Sequence, residues 1–476
     1  MRRLLILGCI GTFAACGDDA SSPDAGGGVR DGGATVDSGG GTDGGPGTDT
    51  GTLPACALPE PFDTGATYAT TLHVATTGDD SNDGSESSPL ATLGEAASRA
   101  TPGTRILLHA GTYTGSTYLE IAGEPGRPIA IVGEGMVVLD AEGAAEVLHL
   151  VEARHLVLEN LSFTGSTTNG VNVDDGGSYD TPAEHVVFRN IRIYGTGSGG
   201  NNDCLKLSGL DRFHVIDSDF TDCDAGDAID MVGCHDGVIH GNAFHQTLGS
   251  GGIQAKGGSA DVIIHGNTFT DVNARGVNAG GSTGLEFFRP IDAPHEAARI
   301  HVVANVIVRP GENSGAPIAY VGCDACVFAH NTVVEPRTWI ARILQESTDA
   351  RFVPSRDGLY VNNLIVLNVG ALRGGVFVNV GAGTAPETFT FGNNLWFALD
   401  RDDTWTGPAL PDPIPPETGS VVQMDPLLVD RDADDYHLQP GSPAIAAGRA
   451  LTGPPFPDFD GRCYAAPPAA GAFAAP

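Results

Sequence analysis

Positive charge is scarce in this sequence. Its 25 Lys and Arg stand against 59 Asp and Glu, a formal charge of −34. A nucleic-acid binder would carry the opposite balance. An acidic surface also disfavours polyanions unless a local basic patch or a bound cation reverses the field. Aromatic residues are few, at 7%. Beyond the first residues no stretch is apolar for long enough to cross a bilayer. No helical periodicity runs for ten residues or more, which excludes helical solenoids and leucine-rich repeats. A Walker-type loop, a GxSxG elbow and an HExxH helix are all missing, so the commonest nucleotide, acyl-transfer and zinc-protease sites have no anchor here. What is plentiful is glycine and proline, 67 and 31 residues, in a chain that is 41% apolar. That composition suits many turns between short strands around a sizeable core.

The N-terminus is read as an export signal. Arg2 and Arg3 precede an apolar stretch, Leu4 to Ala15, that is too short to span a membrane. It ends in Phe13-Ala14-Ala15-Cys16, which resembles the lipobox of bacterial lipoproteins. The resemblance implies cleavage before Cys16 and a diacylglyceryl group on its thiol, so residues 1–16 are expected to be signal and anchor. Gly17, where the family's retention signal would be Asp, points to the outer membrane, facing the periplasm or the cell surface. Contact with the membrane is expected through the lipid alone, and the chain is expected to be a monomer. Residues 17–55 are mostly Gly, Asp, Ser and Thr and are expected to be a disordered acidic linker. Without Cys9 and Cys16, seven cysteines remain, so at least one is unpaired or intermolecular. Cys323-Asp324-Ala325-Cys326 is expected to be a turn disulfide or two packed thiols, and Cys56 with Cys463 is a candidate staple.

From about residue 72 the chain repeats itself. A short β-branched run, a small polar turn and then Asn before an apolar residue recur at Asn160, Asn190, Asn242, Asn267, Asn305, Asn331, Asn363 and Asn394, with Ser218 filling one gap. Successive spacings are 30, 28, 24, 25, 38, 26, 32 and 31 residues, the signature of stacked supersecondary units. An Asn can bond the Asn stacked on it, and the apolar positions stack into a core. The segment from Thr77-Gly78-Asp79 through Gly111-Thr112-Tyr113 resembles the entry of bacterial pectin lyase-like proteins, and Asp425-Pro426 through Arg462 resembles their closing segment. The resemblance covers residues 72–474. It implies an all-β fold, a single-stranded right-handed parallel β-helix with a short N-terminal capping helix over Gly94 to Ala100.

Aligning the coils by their core residues puts Lys206, Asp230, Gln254 and Asn278 in one outward column. Ser208, Val232, Lys256 and Gly280 form a second column, and Asp203, Asp227, Gly251 and Arg275 a third. With rungs about 4.8 Å apart, Lys206, Asp230 and Lys256 share an exposed face within about 12 Å. β-Elimination of a uronate polymer needs such a set: charge to neutralise the carboxylate and a base for the C5 proton. Asp203-Cys204-Leu205-Lys206 with Asp227-Ala228-Ile229-Asp230 is similar to the site region of family 9 pectate lyases. That implies Lys206 as base and Asp227 and Asp230 as ligands of Ca²⁺; Asp203 is a further candidate ligand because Ca²⁺ prefers oxygen donors. Lys256-Gly257-Gly258-Ser259 with Ile264-His265-Gly266-Asn267 looks like the alginate lyase and chondroitinase B group, which implies Lys256 as base with Arg275 near the partner position. Gln254, Asn278 and Arg342 are candidate substrate contacts, and Trp339 with Arg337 a candidate sugar-stacking ring and clamp. His240 and His265 are expected to stack outward as solvated side chains. The function expected is a surface lyase acting on an acidic polysaccharide. The alternatives are a non-catalytic carbohydrate-binding or adhesion β-helix and a glycoside hydrolase.

Overall fold

A short run of β-branched residues cannot bury a face by itself; stacked on successors of the same pattern it can. The computed structural model of the chain has that architecture. It describes residues 56–476 except 180, 198, 200, 201, 247, 248, 250, 313 and 454. The expected signal segment, Cys16 and the 17–55 linker lie outside the described residues. About eleven turns wind into a right-handed parallel β-helix. Each full turn gives one strand to each of three walls. Wall A contains Val171–Asp174, Leu205–Ser208, Asp227–Val232, Gly251–Lys256, Arg275–Gly280, Ile318–Val321 and Ala341–Leu344, each paired in parallel with the next. Wall B contains Ala183–Arg189, His214–Ile216, Val238–His240, Ile263–His265, His301–Val303 and Val327–Ala329. Wall C contains Arg192–Tyr194, Asp219–Thr221, Ala243–His245, Thr268–Thr270, Val306–Val308 and Thr332–Val334. One α-helix, Leu93–Arg99, is found among the described residues, within a residue of its expected place. Thr92 caps it by accepting from the Glu95 amide, and its Leu93 and Ala96 join the main core.

Inside, like stacks on like. Phe220, Phe244 and Phe269 lie one above another with ring centroids 5.2 and 4.7 Å apart. Each such buried ring contributes roughly 1.5–3 kcal/mol by transfer from water. Between walls B and C runs the Asn ladder. Asn242, Asn267, Asn305, Asn331 and Asn363 each donate to the side-chain oxygen of the next, ending at Asn394, over 2.9–3.2 Å. Each of those oxygens also takes the backbone amide of the preceding Asn. Two members expected in this ladder fall outside it. Asn160 and Asn190 sit one residue earlier in their rungs, with φ of 59° and 50°, and the buried ladder position is Leu161 and Ile191. A left-handed turn position and a buried amide position are adjacent in sequence, and both favour Asn.

Among the described residues the cysteines pair as Cys56–Cys463, Cys204–Cys223 and Cys323–Cys326, leaving Cys234 buried and free. The C-terminal segment lies against walls B and C, where Ala472 and Phe473 pack with Val306, Val308 and Val334. His265 Nε2 is 2.9 Å from the Pro457 carbonyl and His330 Nδ1 is 3.0 Å from the Ala469 carbonyl. This corrects the expectation for the stacked histidines: His240 and His265 are register partners, but His265 is fully buried beneath this segment.

Candidate functional site

On wall A the register puts Lys206 beside Asp230, Asp230 beside Gln254 and Gln254 beside Asn278. Lys256 pairs with Val232, and Gly251 with both Asp227 and Arg275. The three columns read from the sequence therefore stand as one patch. Strand pleating turns their apolar neighbours inward and these polar side chains outward. The patch is not an open face, however. Asp203 and Asp230 are completely buried, and Asp227 and Asn278 nearly so. The lysines lie over the acids. Lys206 Nζ donates to Asp230 Oδ2 and is 3.3 Å from Asp203 Oδ2, and Lys256 Nζ approaches Asp230 Oδ2 at 3.1 Å. Lys256 also donates to Gln254 Oε1 over 2.8 Å, and the Asp227 amide donates to Asp203 Oδ1 over 2.8 Å.

Two loops build walls around the lysines. The turn after Val171–Asp174 brings Asp175, Gly177 and Tyr179, and the long connection after Arg275–Gly280 brings Thr283, Phe287 and Arg289. Together with Lys206, Ser208 and Lys256 they enclose a cleft of about 460 Å³. The rings of Tyr179 and Phe287 stand exposed at its edge, and the Tyr179 hydroxyl donates to the Glu286 carbonyl. The long loop is moored by Glu296, a fully buried carboxylate. It accepts from the Gly257 amide and from the Thr283 amide and hydroxyl, at 2.8–2.9 Å, and from the Ser347 hydroxyl. Arg289 is fixed by two 2.6 Å bonds to Asp211. Gly257, at φ 64°, and Gly258, at φ 90°, make the tight turn that leads off Lys256.

Burial and charge shape this site together. Burial alone would depress the Lys206 ammonium, but Asp230 and Asp203 outweigh it and hold the group above its ordinary value. Burial would raise Asp230, yet Lys206 and Lys256 draw it down. Asp203 and Asp227 go the other way: burial, then the repulsion of neighbouring carboxylates, raises both. Asp175 is raised by burial and by Asp174. The acids offer the oxygen donors that Ca²⁺ takes. Even so, no three His, Cys, Asp or Glu side chains converge as a metal site among the described residues. The space between Asp203 and Asp230 is taken by the Lys206 ammonium.

The remaining candidates lie apart from the cleft. Arg275 is 3.3 Å from Glu346. Arg342 lies with its guanidinium carbon 4.6 Å from the Trp339 ring centre. Trp339 is itself buried beneath that arginine, so its face is not free for a sugar. Arg337 pairs with Asp271 and Glu312 away from this patch. One rung before Lys206, Asn172 and Asp174 border His149, whose imidazole lies 2.6 Å from Asp174 and 3.0 Å from Glu146. Sequence reasoning missed Asp175, Tyr179, Phe287, Arg289 and Glu296. All lie on loops, outside the rung pattern. One signal pointed to Phe287, Arg289 and Glu296: the 38-residue gap between Asn267 and Asn305 is too long for a plain rung and marks an inserted loop.

Residues 72–253 match the model of the Pel9A-like, right handed beta helix region. Among solved structures, that of pectate lyase Pel9A is similar at a TM-score of 0.56 and 16% identity, covering 87% of this chain and 98% of that one. The GH136 lacto-N-biosidase from Eubacterium ramulus is similar at a TM-score of 0.50 and 13% identity, covering 75% and 68%. At these identities the likeness is one of fold, shared by a lyase and a hydrolase. Among curated proteins, the uncharacterized protein YwoF of Bacillus subtilis strain 168 is 25% identical over 146 residues, which span 27% of this chain and 30% of that protein.

Proposed function

We propose that this chain cleaves a uronate-containing polysaccharide by β-elimination in the wall A cleft. One observation carries the proposal: the Nζ atoms of two lysines meet a buried carboxylate at a cleft edged by two exposed aromatic rings. A uronate yields its C5 proton only once its carboxylate is neutralised. Lys206, kept cationic by Asp230 and Asp203, supplies that charge. Lys256 contacts one carboxylate rather than two and is the base of the proposal. The C5 proton passes to Lys256 Nζ, the C5 electron pair becomes the C4–C5 double bond, and the C4–O bond breaks. The departing oxygen takes a proton from Asp175, whose carboxyl burial pushes towards the protonated form. Tyr179 and Phe287 offer faces for sugar rings. No step is routed through Ca²⁺, because the acids do not converge on one point.

The test is ultraviolet absorbance of the unsaturated product from polygalacturonate, alginate and chondroitin, each with calcium and with chelator. Wild type is expected to form it on at least one polymer, and Lys256→Ala to lower kcat by about a hundredfold or more. Lys206→Ala is expected to raise KM as well as lower kcat, because it binds the ground-state carboxylate. New reducing ends without absorbance would instead mean hydrolysis. Retention of polymer without cleavage would mean a binding module. Either result overturns the elimination.

A further inference from the structure

Further along wall A lies a charged group that the cleft does not use. Arg342 stands three rungs beyond Gln254 in the same outward column, through Asn278 and Ala319. Arg373 stands 5.6 Å from the Trp339 ring that Arg342 also covers. Arg275 completes the group and is joined to Glu346. Among the described residues neither Arg342 nor Arg373 has a carboxylate partner. Arg342 donates to Asn379 Oδ1 at 3.0 Å and to the Ser314 carbonyl at 3.2 Å, and Arg373 to the Ser314 hydroxyl at 3.0 Å. Three guanidiniums against one carboxylate reverse the sign of a chain that is otherwise strongly acidic. Crowding of this kind costs energy. Burial, then repulsion from Arg275 and Arg373, brings Arg342 down to about 10 despite the opposing pull of Glu346. An anion at this place would relieve that cost, and planar guanidiniums match carboxylate and sulfate oxygens two at a time.

We infer that Arg275, Arg342 and Arg373 form a second anion-binding subsite, which takes a carboxylate or sulfate group of a polysaccharide lying lengthwise along wall A. The inference rests on the cleft as the place where the polymer is held, but not on its chemistry. Three rungs span about 14 Å. A chain seated at Lys256 must therefore be several sugars long before it reaches the arginines. Two rungs, carrying Asn278 and Ala319, lie between.

The test compares binding of uronate dimers and octamers by wild type and by Arg342→Gln/Arg373→Gln. Dextran and dextran sulfate separate a neutral chain from a sulfated one. The double variant is expected to bind octamer at least about fivefold more weakly while dimer binding is unchanged. Arg373→Lys, which keeps the charge, is expected to recover part of the loss. If sulfate is the anion, dextran sulfate shows the loss and the uronate octamer does not. Equal loss for dimer and octamer, unchanged affinity for every anionic chain, or no anionic chain bound by wild type would each overturn the inference. A loss confined to long chains in a protein that cleaves none of them would uphold the subsite and refute the lyase. Normal turnover of short uronates with no arginine effect would do the reverse.

Discussion

Asp230 is held between Lys206 and Lys256, which draw its carboxyl down against its burial. At this scale most of the candidate site was legible. The inward apolar pair on each strand fixes which residue between them points outward, so Lys206, Asp230, Gln254 and Asn278 could be aligned from sequence alone. Their burial could not, because it comes from loops that no periodicity describes. His149 allows a test at the same scale. Hydrogen bonds that its ring donates to Asp174 and then Glu146 raise it from an ordinary 6.5 to about 9. A raised imidazole stabilises the fold fully below its unfolded value and loses that contribution as pH climbs through the folded one. The melting temperature of wild type should therefore exceed that of His149→Gln near pH 6, and the gap should close between pH 7 and 10. A gap that stays constant across that range would mean the imidazole is not charged in the fold.

At the scale of the element, the rung repeats because each Asn completes its neighbour. Asn305 shows the accounting. Its amide donates to the Ile264 and Val303 carbonyls and to Asn331, and its oxygen accepts from the Asn267 backbone and side chain. All of this is buried, so removing the amide strands several backbone groups without water. Asn305→Leu is expected to cost about 2–4 kcal/mol, measured by urea unfolding. An exposed turn substitution such as Asp261→Ser should cost far less. The side chain at position 305 cannot be judged by volume alone, since Leu161 and Ile191 fill the same ladder position in rungs built without the amide chain. The ladder was legible in the sequence as a spacing. Its phase at Asn160 and Asn190 was not, because one residue of slip leaves the spacing nearly unchanged.

Over the whole described molecule, the C-terminal segment closes on walls B and C, and its contacts with His265 and His330 need neutral imidazoles. Burial depresses His265 and His330 to about 4, and both meet backbone carbonyls of that segment. A histidine neutral in the fold and free to charge when unfolded loses stability as pH falls below its unfolded value of about 6.5, with the full cost reached near 4. Two such groups amount to up to about 3 kcal/mol each. Hydrogen-exchange protection, relative to the free-peptide rate at each pH, should therefore fall in residues 456–474 between pH 6.5 and 4.5, ahead of the rungs of wall A. His330→Gln should blunt the effect. A uniform loss of protection over all three walls would show that the segment and the coils open as one.

By itself the sequence determined the coil, its period, its outward columns and the pairing of Cys56 with Cys463 as an option. These follow from local rules: strand alternation, turn chemistry, and like residues placed on like. Only the tertiary structure decided that Asp203, Asp227 and Asp230 are covered, that Tyr179 and Phe287 edge the lysine cleft, and that Trp339 lies beneath arginines. Those outcomes depend on where inserted loops come to rest. A loop's resting place is set by contacts such as those of Glu296, made between residues far apart in the chain, and no repeat in the sequence encodes them.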